Sequence, residues 1–164
     1  MLATSKGQGL IIDFSLGFFV FIIIFITITN AFNSKIEDIN KKNDLEAMRI
    51  KAGNSMNLLI RSPGEPSNWE NLPISSVKYI GLASNDRNIL ETKLSAFSNL
   101  GENYFEGKRK IGLAEYDFFF EFQGVDDVNA GLEPFGDIDK VVETRVVSYK
   151  GESAIARLVV YKSG

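Results

Sequence analysis

The chain has 164 residues, a formal net charge of −3, and neither cysteine nor histidine. The first absence excludes a disulfide framework and a thiolate metal site; the second removes the commonest general base and the commonest transition-metal ligand. Its 18 Lys/Arg and 21 Asp/Glu are interleaved, which excludes the one-signed basic footprint of a nucleic-acid binder.

The chain opens with MLATSKG, then QGLIIDFSLGFF. Gly7-Gln8-Gly9 is not a phosphate-binding loop, because no strand precedes it. From Phe14 to Phe32 there is no charge. At 1.5 Å per residue this run spans about 28 Å, close to the hydrocarbon core of a bilayer. It is apolar all round, unlike an amphipathic surface helix, and the remaining chain is too small to wrap it as a core helix. A removable secretory signal needs a basic start, a shorter apolar core and an Ala-x-Ala site. Ala31 stands alone, and a helical pattern continues beyond it. The expectation is a single-pass membrane anchor. Topology stays open: Lys6 precedes the span, whereas Lys35, Lys41, Lys42, Arg49 and Lys51 follow it. A strict count puts the C-terminal side inside the cell, but the rule weakens for a large translocated domain.

Lys6-Gly7-Gln8, followed by an apolar stretch with the early acid Asp13, resembles the class III signal peptide of archaeal type IV pilins and related filament subunits. The resemblance implies cleavage after Gly7 by a membrane prepilin peptidase, leaving Gln8 as the new N-terminus. It implies that the hydrophobic segment is retained as an assembly helix, with Asp13, Phe14, Gly17, Phe18, Phe21 and Phe25 as assembly residues. The family pattern places a glutamate at the fifth mature position. Here Ile12 is fifth and Asp13 sixth, so either the cleavage register differs or this is a divergent minor subunit. A carboxylate atop an apolar helix costs a few kcal/mol unless paired or near headgroups. Two roles suit Asp13: pairing with a neighbour's amino terminus in a filament, or an interfacial place at the helix start.

Asn33–Arg61 keeps a helical pattern without proline. Phe32, Ile36 and Ile39, then Leu45, Met48, Ala52, Met56 and Leu59, form one stripe at i+3 and i+4 steps. The pattern predicts one long helix, bent or frayed around Asn40–Asn43 and ended by Ser62-Pro63-Gly64. Its upper stripe is expected to cover a sheet.

Ser62–Pro73 is a turn-rich loop in which Trp69 plugs the domain edge. Val77–Leu82 is expected as a short strand. Asn88, with Glu91 three residues on, predicts a capped helix burying Leu90, Leu94 and Phe97 and ending at Gly101. A second helix covers Tyr104 to Ile111 and closes at Gly112. Tyr116–Gln123 alternates as a half-buried strand, with Tyr116, Phe118, Phe120 and Phe122 inward and Phe119 on the wetter face.

Val141–Tyr149 and Ser153–Tyr161 predict a hairpin. Joining Val142, Thr144 and Val146 to Ala156, Leu158 and Val160 on one face requires a three-residue loop, Lys150-Gly151-Glu152. A two-residue turn would set Val146 against Ile155 and is expected to split the core. The soluble part is also similar to archaeal pilin-like surface proteins through SPGEPSNWE, YIGLA, KIGLAEYDFFFE and RVVSYKGESAIARLVVY.

Asp126, Asp127, Asn129, Glu133, Asp137 and Asp139 crowd one region that could offer calcium oxygen ligands. No EF-hand spacing is present, and a solvated acidic loop is expected. No catalytic residue, metal ligand or cofactor is assigned, and an enzyme is not expected.

The expected fold class is α+β, pilin-like: a long N-terminal hydrophobic helix packed on a small antiparallel sheet with short helices. The expected organisation is a leader at 1–7, a hydrophobic transmembrane and assembly helix at 8–32, an amphipathic extension at 33–61 and an α+β head at 62–164. The implied function is a major or minor subunit of an archaeal surface filament, membrane-held before assembly and with its head outside. Partners would be copies of itself or related pilins, prepilin peptidase and membrane lipid, without nucleic acid. The alternative is a single-pass anchored binding or sensor domain that never polymerises.

Overall fold

In the computed structural model, the backbone is described for residues 5–162 and the side chains for residues 14–101 and 103–162. The fold is α+β. Helix α1 runs Ser5–Arg61, and helical pairing continues unbroken through Asn40–Asn43, where fraying was expected. By contacts the chain divides into two units, one up to Asn43 and one from Asp44 onward.

In the second unit, six strands form one sheet: β1 (Ala83–Asn85), β2 (Asn88–Ile89), β3 (Asp117–Gln123), β4 (Val128–Gly131), β5 (Lys140–Tyr149) and β6 (Glu152–Tyr161). Their order is β1-β2-β5-β6-β3-β4. All neighbours are antiparallel except β2 and β5, which pair in parallel at Asn88↔Ser148 and Ile89↔Tyr149. Two short helices complete the unit, α2 (Glu91–Ser98) and α3 (Tyr104–Lys110).

The C-terminal part of α1 supplies one wall of the core. Met48, Ala52, Met56, Leu59 and Ile60 are buried in the same cluster as Phe118, Phe120, Phe122, Ala156 and Leu158. The amphipathic stripe of the sequence is therefore a core face from Met48 onward. Phe32, Ile36 and Ile39, on the same predicted stripe, are more than half exposed. Phe97 of α2 stacks on Phe118 at 5.7 Å and meets Phe120 edge-on at 5.5 Å, so aromatic contacts lock α2 to β3.

Three local expectations are corrected. Val77–Leu82 is not a strand. The Val77 and Lys78 amides bond the Ile74 and Glu65 carbonyls, and the Ile80 and Leu82 amides reach the Lys110 and Leu59 carbonyls. Each amide is satisfied by a different neighbour, so no ladder forms. Asn88 does not cap α2: it lies in β2, where Ile89 is buried, and the helix begins at Glu91 after an extended Leu90. Leu90 is consequently partly exposed, while Leu94 and Phe97 are buried as expected, and α2 ends at Ser98 rather than Gly101.

The third correction concerns the hairpin. The β5–β6 ladder pairs Val146↔Ile155, Thr144↔Arg157 and Val142↔Val159. Lys150 and Gly151 form a two-residue turn, with φ of 53° and 85°. Positive φ at both central positions matches the strand twist. Non-glycine residues seldom adopt it, but the Lys150 ammonium is held by Asp126 at 2.8 Å and Glu91 at 3.0 Å. The core face of β5 is thus Val141, Val147 and Tyr149, opposite Val160, Ala154 and Glu152. Val142, Thr144 and Val146 lie on the outer face. The core is not split, because the valine runs Val141-Val142 and Val146-Val147 supply an apolar residue to either face.

Candidate membrane and assembly segment

The side chains of Lys6, Gly7, Gln8 and Asp13 lie outside those described. Of the remaining expected assembly residues, Phe14, Phe18, Phe21 and Phe25 are 74%, 52%, 61% and 60% exposed. Within α1 they stack in i, i+4 pairs, Phe14 on Phe18 at 6.4 Å and Phe21 on Phe25 at 6.1 Å. A Cβ added at Gly17 would meet nothing within 4 Å, so no packing within the chain requires glycine there.

Both threonine hydroxyls of the segment are satisfied inside the helix. Thr27 donates its hydroxyl to the Ile23 carbonyl at 2.8 Å, and Thr29 donates to the Phe25 carbonyl at 2.9 Å. An uncharged segment whose threonine hydroxyls bond their own backbone presents mostly hydrocarbon outward. It is long and apolar enough to cross a membrane, and none of its most apolar stretch is buried. In water that exposure would be costly, at roughly 25 cal/mol for each Å² of apolar surface. A bilayer or neighbouring helices would remove the cost.

In the second unit, the buried charged residues Lys93 and Asp117 are engaged in holding the fold. Lys93 is buried, and its ammonium donates to the Pro63 carbonyl and, at 2.6 Å, to the Ser67 carbonyl. Burial lowers its pKa, against the opposing pull of the Glu70 charge. It tethers the Ser62–Pro73 loop to α2. Asp117 accepts from Lys108 at 2.8 Å and from the Tyr104 hydroxyl at 3.0 Å, and the Phe118 amide donates to that hydroxyl at 3.1 Å. Burial, partly offset by the Phe118 amide, and the Asp117 carboxylate raise the Tyr104 pKa. This set ties α3 to the start of β3.

The acidic region is divided by β4. Asp126 accepts from Tyr149 at 2.9 Å and Lys150 at 2.8 Å, and Asp127 accepts from the Gly124 amide at 3.3 Å. The Lys150 and Tyr149 hydrogen bonds hold the Asp126 pKa below its ordinary value. Among the described residues, no three acidic side chains converge as a metal site would require. The sequence reading missed the Lys93 tether and the Tyr104–Lys108–Asp117 set. The (i, i+4) spacing of Tyr104 and Lys108 places both on one face of α3, but nothing local joins them to Asp117.

No protein-family model, curated protein or solved structure matches the chain.

Proposed function

We propose that this chain is a pilin-like structural subunit of an archaeal surface filament, assembling through its N-terminal hydrophobic helix and carrying the α+β unit outward. One observation supports this most: a charge-free helical segment with its aromatic face uncovered, joined by one helix to a separately packed unit. The Lys6-Gly7-Gln8 motif and Asp13 add the resemblance to a processed prepilin. On this reading the segment first sits in lipid, then exchanges lipid for the helices of related subunits. Prepilin peptidase is the processing partner, and no catalytic role is assigned to the chain.

Mass spectrometry of the native protein's N-terminus tests the reading. A mature chain beginning at Gln8 is expected. An intact leader on the surface-exposed protein would overturn it and favour an anchored binding or sensor domain that does not polymerise.

A further inference from the structure

Between β4 and β5 the chain makes a short arch, residues 133–139, and one residue of β6 holds both of its ends. The Tyr161 hydroxyl donates to the Leu132 carbonyl at 2.8 Å, and Tyr161 pairs with Lys140 in the β5–β6 ladder. The Leu132 amide donates to the Phe118 carbonyl at 2.9 Å, which fixes the first end to β3 as well. Gly136, with φ of 81°, turns the chain directly after Phe135. Phe135 is 95% exposed, more than any other large hydrophobic residue among those described, the membrane segment included. An arch pinned at its base presents this ring with little ordering left to do on binding.

The arch borders a groove on the outer face of the sheet. The apolar lining is one cross-strand row, Val142↔Val159↔Phe119, with Pro134 of the arch beside it. The groove holds about 190 Å³. That is below the roughly 300–1,000 Å³ of small-molecule sites, and close to the ~150 Å³ cavity that accepts a benzene ring. A single phenyl ring is the matching occupant, and the chain's own Phe135, being exposed, does not fill it. Of the charged residues lining the groove, Glu121 and Arg157 pair with each other at 3.1 Å. Glu133, on the arch, and Lys140, on β5, have no ion-pair partner among the described residues. Asp137, two residues beyond Phe135, has none either. An incoming tip with Phe135 in the groove therefore has one favourable approach, with its Asp137 on the β5 side against Lys140.

We propose that two copies of this chain associate through this face, Phe135 of one entering the Val142–Val159–Phe119 groove of the other and Asp137 meeting Lys140. The partner is a second copy because each chain carries both halves of the contact: an uncovered ring beside a spare carboxylate, and a ring-sized groove beside a spare ammonium. Tip and groove adjoin in each chain, so a two-fold axis between them lets both rings dock at once. The contact is independent of how the N-terminal helix is held.

The chain has no cysteine, which makes placed thiols unambiguous. In the full-length protein in detergent micelles, an Asp137→Cys copy is mixed with a Val142→Cys copy or, as the control, with a Val146→Cys copy. Val146 lies on the same strand and face, about 13 Å further along. With a short bifunctional thiol linker, the first mixture is expected to form the mixed dimer at least tenfold faster than the control. Adding Phe135→Ala to both copies should remove that preference and leave the melting temperature unchanged, because the ring is outside the core. A second measurement reads charge by sedimentation in the same micelles. Asp137→Lys and Lys140→Glu should each associate less than the unaltered protein, and their equimolar mixture should regain association. The N-terminal helix is common to every variant, so its own association cancels in these comparisons. Equal coupling of Asp137→Cys to Val142→Cys and Val146→Cys would overturn the proposal. So would a preference that survives Phe135→Ala, or a charge mixture that associates no better than its components.

Discussion

Trp69 donates its indole N–H to the Gly81 carbonyl at 2.7 Å, inside the core. Gly81 lies so close to the preceding loop that an added Cβ would stand 2.1 Å from the Ser62 carbonyl oxygen. The obstruction is backbone, which cannot rotate away. Gly81→Ala should therefore destabilise by about 3 kcal/mol, the upper end of the usual overpacking range. Trp69→Phe keeps much of the ring but leaves a buried carbonyl unpaired, at about 1–3 kcal/mol. Urea unfolding of both variants checks the two values.

The helix stripe gives a graded test. Met56 and Leu59 are fully buried, and truncating either to alanine should cost about 2–5 kcal/mol. Ile50 is 57% exposed, and Ile50→Ala should stay within about 0.5 kcal/mol. A fragment beginning at Asp44 keeps the buried part of the stripe, Met48 to Ile60, and is expected to melt cooperatively. One beginning at Ser62 uncovers the apolar sheet face and should aggregate. Matching melting curves for the two fragments would show that the stripe is dispensable to the core.

The two faces of β5 can be distinguished by neighbouring valines. Val147 is buried and Val146 is largely exposed. Val147→Thr puts a hydroxyl into the core and should cost about 1–3 kcal/mol. Val146→Thr should cost under about 0.5 kcal/mol. Thermal melts giving the reverse order would require the ladder to shift by one residue.

Two titrations bound the stability profile. The Asp126 pKa is held down by Lys150 and then Tyr149. Its stabilisation is thus complete above the ordinary carboxylate value of 3.8 and lost as pH falls below it. Asp126→Asn should flatten acid unfolding in that window. The Tyr104 pKa is raised, chiefly by burial. The unfolded chain releases that proton first, so stability is full below pH 10.0 and falls above it. Tyr104→Phe should weaken the alkaline loss. It should also cost about 1–3 kcal/mol at neutral pH, because the Phe118 amide loses its partner. Denaturant titrations across pH read both effects.

Under the proposed function, Gly7→Phe should block leader removal and leave the protein in the membrane fraction. Asp13→Ala should impair filament assembly while the α+β unit keeps its melting temperature. Normal filaments from the Gly7 variant would remove the main support for a pilin-like role. Equal assembly by the Asp13 variant would return that carboxylate to an interfacial one.

Much of this architecture is legible in the order of residues because the interactions behind it are local. The uncharged Phe14–Phe32 run, the i+3 and i+4 stripe to Leu59, the alternation of Phe118, Phe120 and Phe122, and the stop at Gly112 each follow from periodicity or backbone freedom. The tertiary structure decided what depended on distant partners. Lys150 adopts a left-handed turn conformation where Asp126 and Glu91 meet its ammonium, and that turn sets the β5–β6 register. Val77–Leu82 has the composition of a strand, yet its amides go to Ile74, Glu65, Lys110 and Leu59. Asn88 looks like a helix cap, yet it joins β5 in parallel. Periodicity along a chain reports which side of an element is apolar. It carries no information on which remote carbonyl or carboxylate will satisfy a given donor, and here those bonds selected the register, the edges and the exposed face of the sheet.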